Sequence, residues 1–223
     1  MKLISWNVAG RSTLLAAQAD ALARQDPDLV CLQEVRATTL PRWRVAFMAA
    51  GLDVFEDSSA FIGERRFFNL AASRWELRQL PPIGAPQPER VLSVVADTPH
   101  GPLEIHNVHV PPAQSAGLLK VETCEAIHFA LARPAERSIL TGLAEWDLVD
   151  IFRALHGYER QDASWVFNTR NRRKSAHRLD HILASKRLRA VWCDYHHGWR
   201  ESGLSDHSAI EGVFEPRATQ GER

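Results

Sequence analysis

The sequence predicts an α/β protein in which two packed mixed β-sheets are flanked by helices. Three observations carry that expectation. Short apolar runs rich in branched residues alternate with stretches of helical period. From residue 68 to 110, strand patterns follow one another in quick succession, as hairpins do. Helical patterns also occur in both halves of the chain, so neither sheet is left uncovered.

In order, "KLISWNV" (2–8) reads as a buried strand and "STLLAAQADALARQ" (12–25) as a helix with Leu15, Ala19, Leu22 and Ala23 on one face. Pro27 ends that helix by disfavouring helical geometry in the residue before it. "LVCLQEV" (29–35) is the next strand. "PRWRVAFMAAG" (41–51) is the next helix, with Pro41 at its start and Gly51 placed to cap its end. "FNLAAS", "RVLSVVAD" and "LEIHNVHV" are strands, with "TPHGP" turning between the last two. A helix at about 115–132 leads to the strand "SILT" (138–141), and the helix "WDLVDIFRALHG" (146–157) closes with Gly157. "SWVFNT", "LDHILAS", "LRAVWCDYHH" and "SAIEGVF" are the remaining strands.

At 223 residues the chain suits one domain, expected over 1–216 with a short tail at 217–223. A chain this long buries about 70% of its unfolded surface, so its core needs no disulfide or metal staple. The fractions of apolar (45%) and charged (24%) residues are those of an ordinary globular protein, without a membrane-spanning run. Cys31, Cys124 and Cys193 form no CxxC spacing. Their odd number, with no export signal at the N-terminus, points to reduced thiols and a cytoplasmic setting, and Cys31 and Cys193 lie in apolar runs as core residues. Ten histidines raise the question of zinc, but no HExxH or CxxC spacing supports it. The formal net charge is zero, which gives no global support for nucleic-acid binding. A local exception is "NTRNRRKSAHR" (168–178), with five Lys and Arg and no acid. An isolated run of this kind is usually a solvated loop.

Chemistry concentrates at strand ends. In "SWNVAG", Trp6 and Val8 point to one face and Asn7 to the other. In "LVCLQEV", Glu34 ends an apolar strand, where a carboxylate is costly unless it reaches water, a cation or a partner. Two oxygen-bearing side chains on neighbouring strand ends suit a hard cation such as Mg²⁺. Asn107 and His109 share a face of "EIHNVHV", and the prolines after it place His109 at a strand edge. Asp180 interrupts the apolar "RLDHILAS", while Asp206 and His207 open the last strand in "GLSDHSAI". An aspartate facing a histidine fixes the ring and favours its charged form, which can act on a phosphate or a leaving oxygen. No GxSxG or reactive-cysteine context offers a covalent nucleophile.

In order and spacing, "MKLISWNVAG", "PDLVCLQEV", "NLAASR", "NVHVP", "RLDHILAS" and "GLSDHSAI" resemble the endonuclease/exonuclease/phosphatase superfamily, the fold of DNase I and of abasic-site endonucleases of the exonuclease-III type. The resemblance runs from Met1 to about Phe214. It implies a four-layer α/β/β/α sandwich with the site at one end of the sheets. It implies metal-site roles for Asn7, Glu34 and Asp206, a catalytic His207 oriented by Asp180, and a second catalytic histidine at His109. Asn107, Trp165, Arg170 and Arg178 are the expected substrate contacts. The implied activity is hydrolysis of a phosphate ester assisted by Mg²⁺ or Mn²⁺, with DNA as the partner, no membrane and a monomeric chain. Phosphatase action on small or lipid phosphate esters is the alternative substrate class.

One motif departs from the family. After a strand like "SILTG" the superfamily continues Asp-x-Asn, the aspartate acting on the attacking water and the asparagine holding the phosphate. Here Leu143 and Glu145 take those places. Asp147 and Asp150 sit at the start of the expected helix, where acids favour the helix dipole in any case. The departure fits a catalytically impaired or non-catalytic phosphate-ligand-binding member, a deletion variant, or a sequence from which a loop is missing.

Overall fold

The computed structural model describes residues 1–112, 117–131, 148–168 and 174–215. The strand expected at 138–141, the departure at 143–145, Arg170 and the tail at 217–223 lie outside them.

A six-stranded sheet organises the molecule. β1 (Lys2–Asn7) runs parallel to β2 (Leu29–Val35). β3 (Val54–Asp57), β4 (Phe68–Ser73), β12 (Arg189–His196) and β13 (Ala209–Glu215) complete it antiparallel, in the order β12-β13-β1-β2-β4-β3. Alternation along the strands gives it two buried faces. Ile4, Trp6, Val30, Leu32 and Leu70 meet Leu15 and Leu22 of α1 (Leu15–Ala23) and Trp43 and Phe47 of α2 (Leu40–Ala49). The opposite face carries Leu29, Cys31 and Ala71. They pack on Leu92, Val94 and Ile105 of a three-stranded sheet, in which β6 (Val91–Thr98) pairs with β5 (Leu77–Gln79) and β7 (Gly101–Val108).

Further along the same face, Cys193, Tyr195, Ile210 and Phe214 pack against Ile151 and Phe152 of α4 (Ile151–His156) and against Ile182 and Ala184. There β8 (Leu148–Asp150) pairs with β11 (Leu183–Ser185). β9 (Trp165–Asn168) and β10 (Lys174–His177) form a separate hairpin. α3 (Leu119–Leu131) lies in the expected helical region, and α5 (His197–Glu201) follows β12 directly. This is the mixed α/β, DNase-I-like architecture that the sequence predicts. Among the described residues no helix is long and apolar enough to cross a membrane. Burial pushes the Cys31 and Cys193 thiols up to about 12, as expected of core residues.

Some elements differ from expectation. The helix expected over 146–157 begins only at Ile151, because Asp150 caps it by accepting from the Phe152 and Arg153 amides while Leu148–Asp150 pair as β8. The strand expected over 179–185 is irregular until Leu183. Side chains take its first backbone groups instead. Ser164 Oγ accepts from the Leu179 and Asp180 amides at 3.0 and 3.1 Å, and Tyr195 donates to the Asp180 carbonyl at 2.6 Å. Part of the expected basic loop is β10, whose "KSAH" lacks any apolar alternation to announce it.

Two expected substrate contacts prove structural. Asn107 is only 3% exposed. Its amide donates to the Leu32 and Leu70 carbonyls at 2.9 and 3.1 Å, and its Oδ1 accepts from Gln33 at 2.8 Å, so one side chain ties β7 to β2 and β4. Arg178 pairs with Asp150 and lies over the Phe152 ring at 5.5 Å, so its guanidinium is committed to the fold.

Asn107→Ala removes two buried hydrogen bonds to carbonyls and is expected to cost about 2–4 kcal/mol in denaturant unfolding; a loss under about 1 kcal/mol would remove the pin. Burial alone would raise the Asp150 carboxyl, but hydrogen bonds from His181 and Arg178, with the Arg178 charge and the Arg153 amide, hold it well below the usual carboxylate range. Its contribution is therefore complete at neutral pH and is lost as the pH falls below the unfolded value of about 3.9. Asp150→Asn keeps the cap and is expected to show a flatter loss of stability between about pH 5 and 2 than the wild type.

Candidate active site

At one end of the six-stranded sheet, β2 does something its sequence alternation forbids. Strict alternation would turn Glu34 toward the buried face of Val30 and Leu32. Instead the β2–β4 register shifts between Leu32 and Val35, Glu34 adopts a left-handed backbone (φ 59°), and Val35 takes the core position. A bulge of this kind re-aims one side chain at a strand end, at a backbone cost of about 1–2 kcal/mol for a residue with a Cβ. The Glu34 carboxylate, 24% exposed, accepts from Asn7 Nδ2 at 3.1 Å through Oε1, which also lies 3.6 Å from His109 Nε2. Asn7 Oδ1 in turn accepts from the Ala9 amide at 2.9 Å.

The C-terminal part of the chain is fastened to the same end. Ser205 Oγ donates to the Asn7 carbonyl at 2.6 Å and accepts from the His207 amide at 3.2 Å, while Trp6 Nε1 donates to the His207 carbonyl at 3.0 Å. His207 Nδ1 lies 2.8 Å from Asp180 Oδ2, and both side chains are largely buried. Burial pulls the His207 imidazole down, but the Asp180 hydrogen bond and the charges of Asp180, Asp206 and Glu34 outweigh it, so the ring holds its proton above the ordinary histidine value. His109 goes the other way. Burial, the Arg90 guanidinium and His207 depress it to about 3 against the pull of Asp180. The two imidazoles of one site are shifted in opposite directions, His207 toward its charged form and His109 toward its neutral form.

Trp165 lies beside His207, their ring centroids 6.2 Å apart and stacked, and its indole donates to Asp206 Oδ2 at 3.3 Å. Phe167 and His177 extend the aromatic surface along the β9–β10 hairpin. Asn7, Glu34, His109, Trp165, Asp180, Asp206 and His207 thus converge, whereas Asn107 and Arg178 do not belong to the site. Sequence reasoning missed Arg90, whose Nη1 lies 3.0 Å from His109 Nδ1, and the serines Ser164 and Ser205 that lock the Asp180 and His207 backbones. No local pattern marks any of the three.

For a divalent cation the donors fit. Glu34 Oε2 has no hydrogen-bond partner among the described residues and Asp206 is exposed, while Asn7 turns Nδ2 to Glu34 and its Oδ1 accepts from the Ala9 amide. Among the described residues no three His, Cys, Asp or Glu side chains gather as a metal cage. Mg²⁺ needs none, since it binds through one or two carboxylates and keeps several waters.

Fold and site together describe a phosphate-ester hydrolase of the α/β sandwich type. The family model described as the Endonuclease/Exonuclease/phosphatase family matches residues 4–207, and the chain belongs to that family. A search of curated proteins finds no match. Among solved structures, the chain is similar to an AP endonuclease from Archaeoglobus fulgidus (TM-score 0.74, 20% identity, covering 96% of this chain and 99% of that one). It is also similar to D. rerio TDP2 complexed with single strand DNA product (TM-score 0.70, 19% identity, 96% and 98%). A third similar structure is the 3' phosphatase NExo from Neisseria bound to product DNA hairpin (TM-score 0.69, 19% identity, 96% and 99%). At these identities the likeness shows the fold.

The strain at Glu34 can be isolated by comparing two variants that both lack the carboxylate. Glu34→Gly is expected to be more stable than Glu34→Ala by about 1 kcal/mol in urea unfolding; equal stability would show that the bulge stores none.

Proposed function

We propose that the protein is a divalent-metal-dependent phosphodiesterase that acts on DNA. The observation that carries this reading is the Asp180–His207 pair, held at 2.8 Å beside the re-aimed Glu34. A Mg²⁺ or Mn²⁺ ion held by Glu34, Asn7 and Asp206 would supply a Lewis acid for a phosphoryl oxygen and offset its developing charge. His207, oriented through Nδ1 by Asp180, presents Nε2–H as a charged donor to the scissile phosphate. Trp165, its N–H committed to Asp206, offers its ring face to a base or sugar next to that phosphate. Two similar structures carry DNA product, which supports DNA over small or lipid phosphate esters.

A second reading rests on Leu143 and Glu145, where the family resemblance calls for Asp-x-Asn. A positioned general base contributes about 10²–10⁴ in rate, or about 3–5 kcal/mol of barrier. A chain without one binds the same ligands and turns them over slowly or not at all.

Release of product from abasic DNA, undamaged DNA and a small phosphodiester, with Mg²⁺ and with excess chelator, separates these readings. Cleavage of DNA that requires Mg²⁺ and falls at least about 10²-fold in His207→Ala is expected. Equal activity in chelator or in His207→Ala contradicts the mechanism. DNA binding without turnover under every metal tried selects the second reading.

A further inference from the structure

Arg90 stands outside every sequence motif, yet it meets one of the two imidazoles of the site. It ends the 3-10 turn Pro88–Arg90 immediately before β6, and its backbone is fixed from two sides. Its carbonyl accepts from the His109 amide at 2.8 Å and from Asn69 Nδ2 at 2.7 Å. From that anchor its guanidinium reaches across the β6–β7 ladder, and Nη1 comes to 3.0 Å from His109 Nδ1.

The chemistry of the pair leaves one arrangement. A guanidinium has only N–H donors and stays protonated, so in this contact His109 Nδ1 must accept. An imidazole that accepts at Nδ1 carries its proton on Nε2, the nitrogen that faces the Glu34 carboxylate at 3.6 Å. The opposite tautomer would set an N–H against Arg90 and a bare lone pair against a carboxylate, both repulsive. His207 is held the other way round, with Nδ1 facing the Asp180 acceptor. The two histidines are therefore fixed by opposite partners, a cation for one and an anion for the other.

We propose that Arg90 is a positioning residue that locks His109 as a neutral imidazole with its proton on Nε2. Held this way, His109 works as a fixed hydrogen-bond donor at the Glu34 end of the site, toward a phosphoryl oxygen bound there. It is not a proton shuttle, because taking a proton at Nδ1 would expel the Arg90 contact. This role rests on the phosphodiesterase reading, whereas the tautomer itself does not.

The test is a long-range ¹H–¹⁵N correlation on the full chain labelled at histidine and free of metal, with His109 assigned from the His109→Gln spectrum. The wild type is expected to show a protonated Nε2 and a bare Nδ1 at His109. Arg90→Met is expected to lose that pattern, and Arg90→Lys, which keeps a cationic donor, to retain it. In Mg²⁺-dependent cleavage, Arg90→Met is expected to lower kcat about 10–100-fold with KM little changed, the usual scale for a residue that orients a site histidine. A protonated Nδ1 in the wild type overturns the proposal even if Arg90→Met does not fold. An unchanged tautomer in a folded Arg90→Met overturns it as well. A wild type that shows the Nε2–H tautomer but cleaves nothing leaves Arg90 as the lock and removes the phosphodiesterase reading instead.

Discussion

The arrangement of the site depends on one side chain that never touches it. Where β2 bulges to turn Glu34 outward, the pairing with β4 shifts just past the Leu32–Leu70 pair, and the carbonyls of that pair face the buried seam between the sheets. Asn107 donates to both from the facing sheet. That amide pins the strands where the register shifts, and a regular ladder past that point would carry Glu34 toward the hydrophobic face of Leu32. The carboxylate is thus presented at the sheet end at the cost of one left-handed residue and one polar side chain buried between two sheets. Gln33, donating to Asn107 and to Ser5 Oγ, continues the same buried polar seam back to β1.

Around that fixed end the electrostatics sort themselves by neighbour. His207 faces carboxylates that favour its charged form, while His109 faces a guanidinium in a buried setting that favours its neutral form. One imidazole can offset negative charge on a phosphate, and the other can only donate or accept a hydrogen bond. The backbone contacts from Trp6 and Ser205 make this division geometric as well, since they hold the start of β13 against the end of β1 across nearly the full length of the chain.

Much of this was legible in the sequence because period and position carry it. Buried strands with polar residues at their ends pointed to Asn7 and Glu34, and the Asp and His of "RLDHILAS" and "GLSDHSAI" were picked out by the family resemblance that the order and spacing of the segments carry. What was not legible depended on partners distant in sequence. Asn107 and His109 share a face of β7, and alternation cannot say that one ends beneath a bulge and the other in the site. Arg178 sits in a basic run, and only the fold brings Asp150 to it from the cap of α4. Arg90 leaves no local trace, because its significance lies in a histidine 19 residues away. β3, β5 and α5 were missed for a simpler reason: they are short and bury little, so they carry no apolar pattern of their own.

The claim on which the account stands is that the end of β1 and β2 is a cation site facing His207. Anomalous diffraction from crystals of the protein soaked in Mn²⁺ addresses it directly. The account predicts a manganese peak within coordinating distance of a Glu34 carboxylate oxygen, on the side of the sheet end where Asp206 and His207 lie. A peak bound elsewhere, with Glu34 free of metal at saturating Mn²⁺, would contradict it.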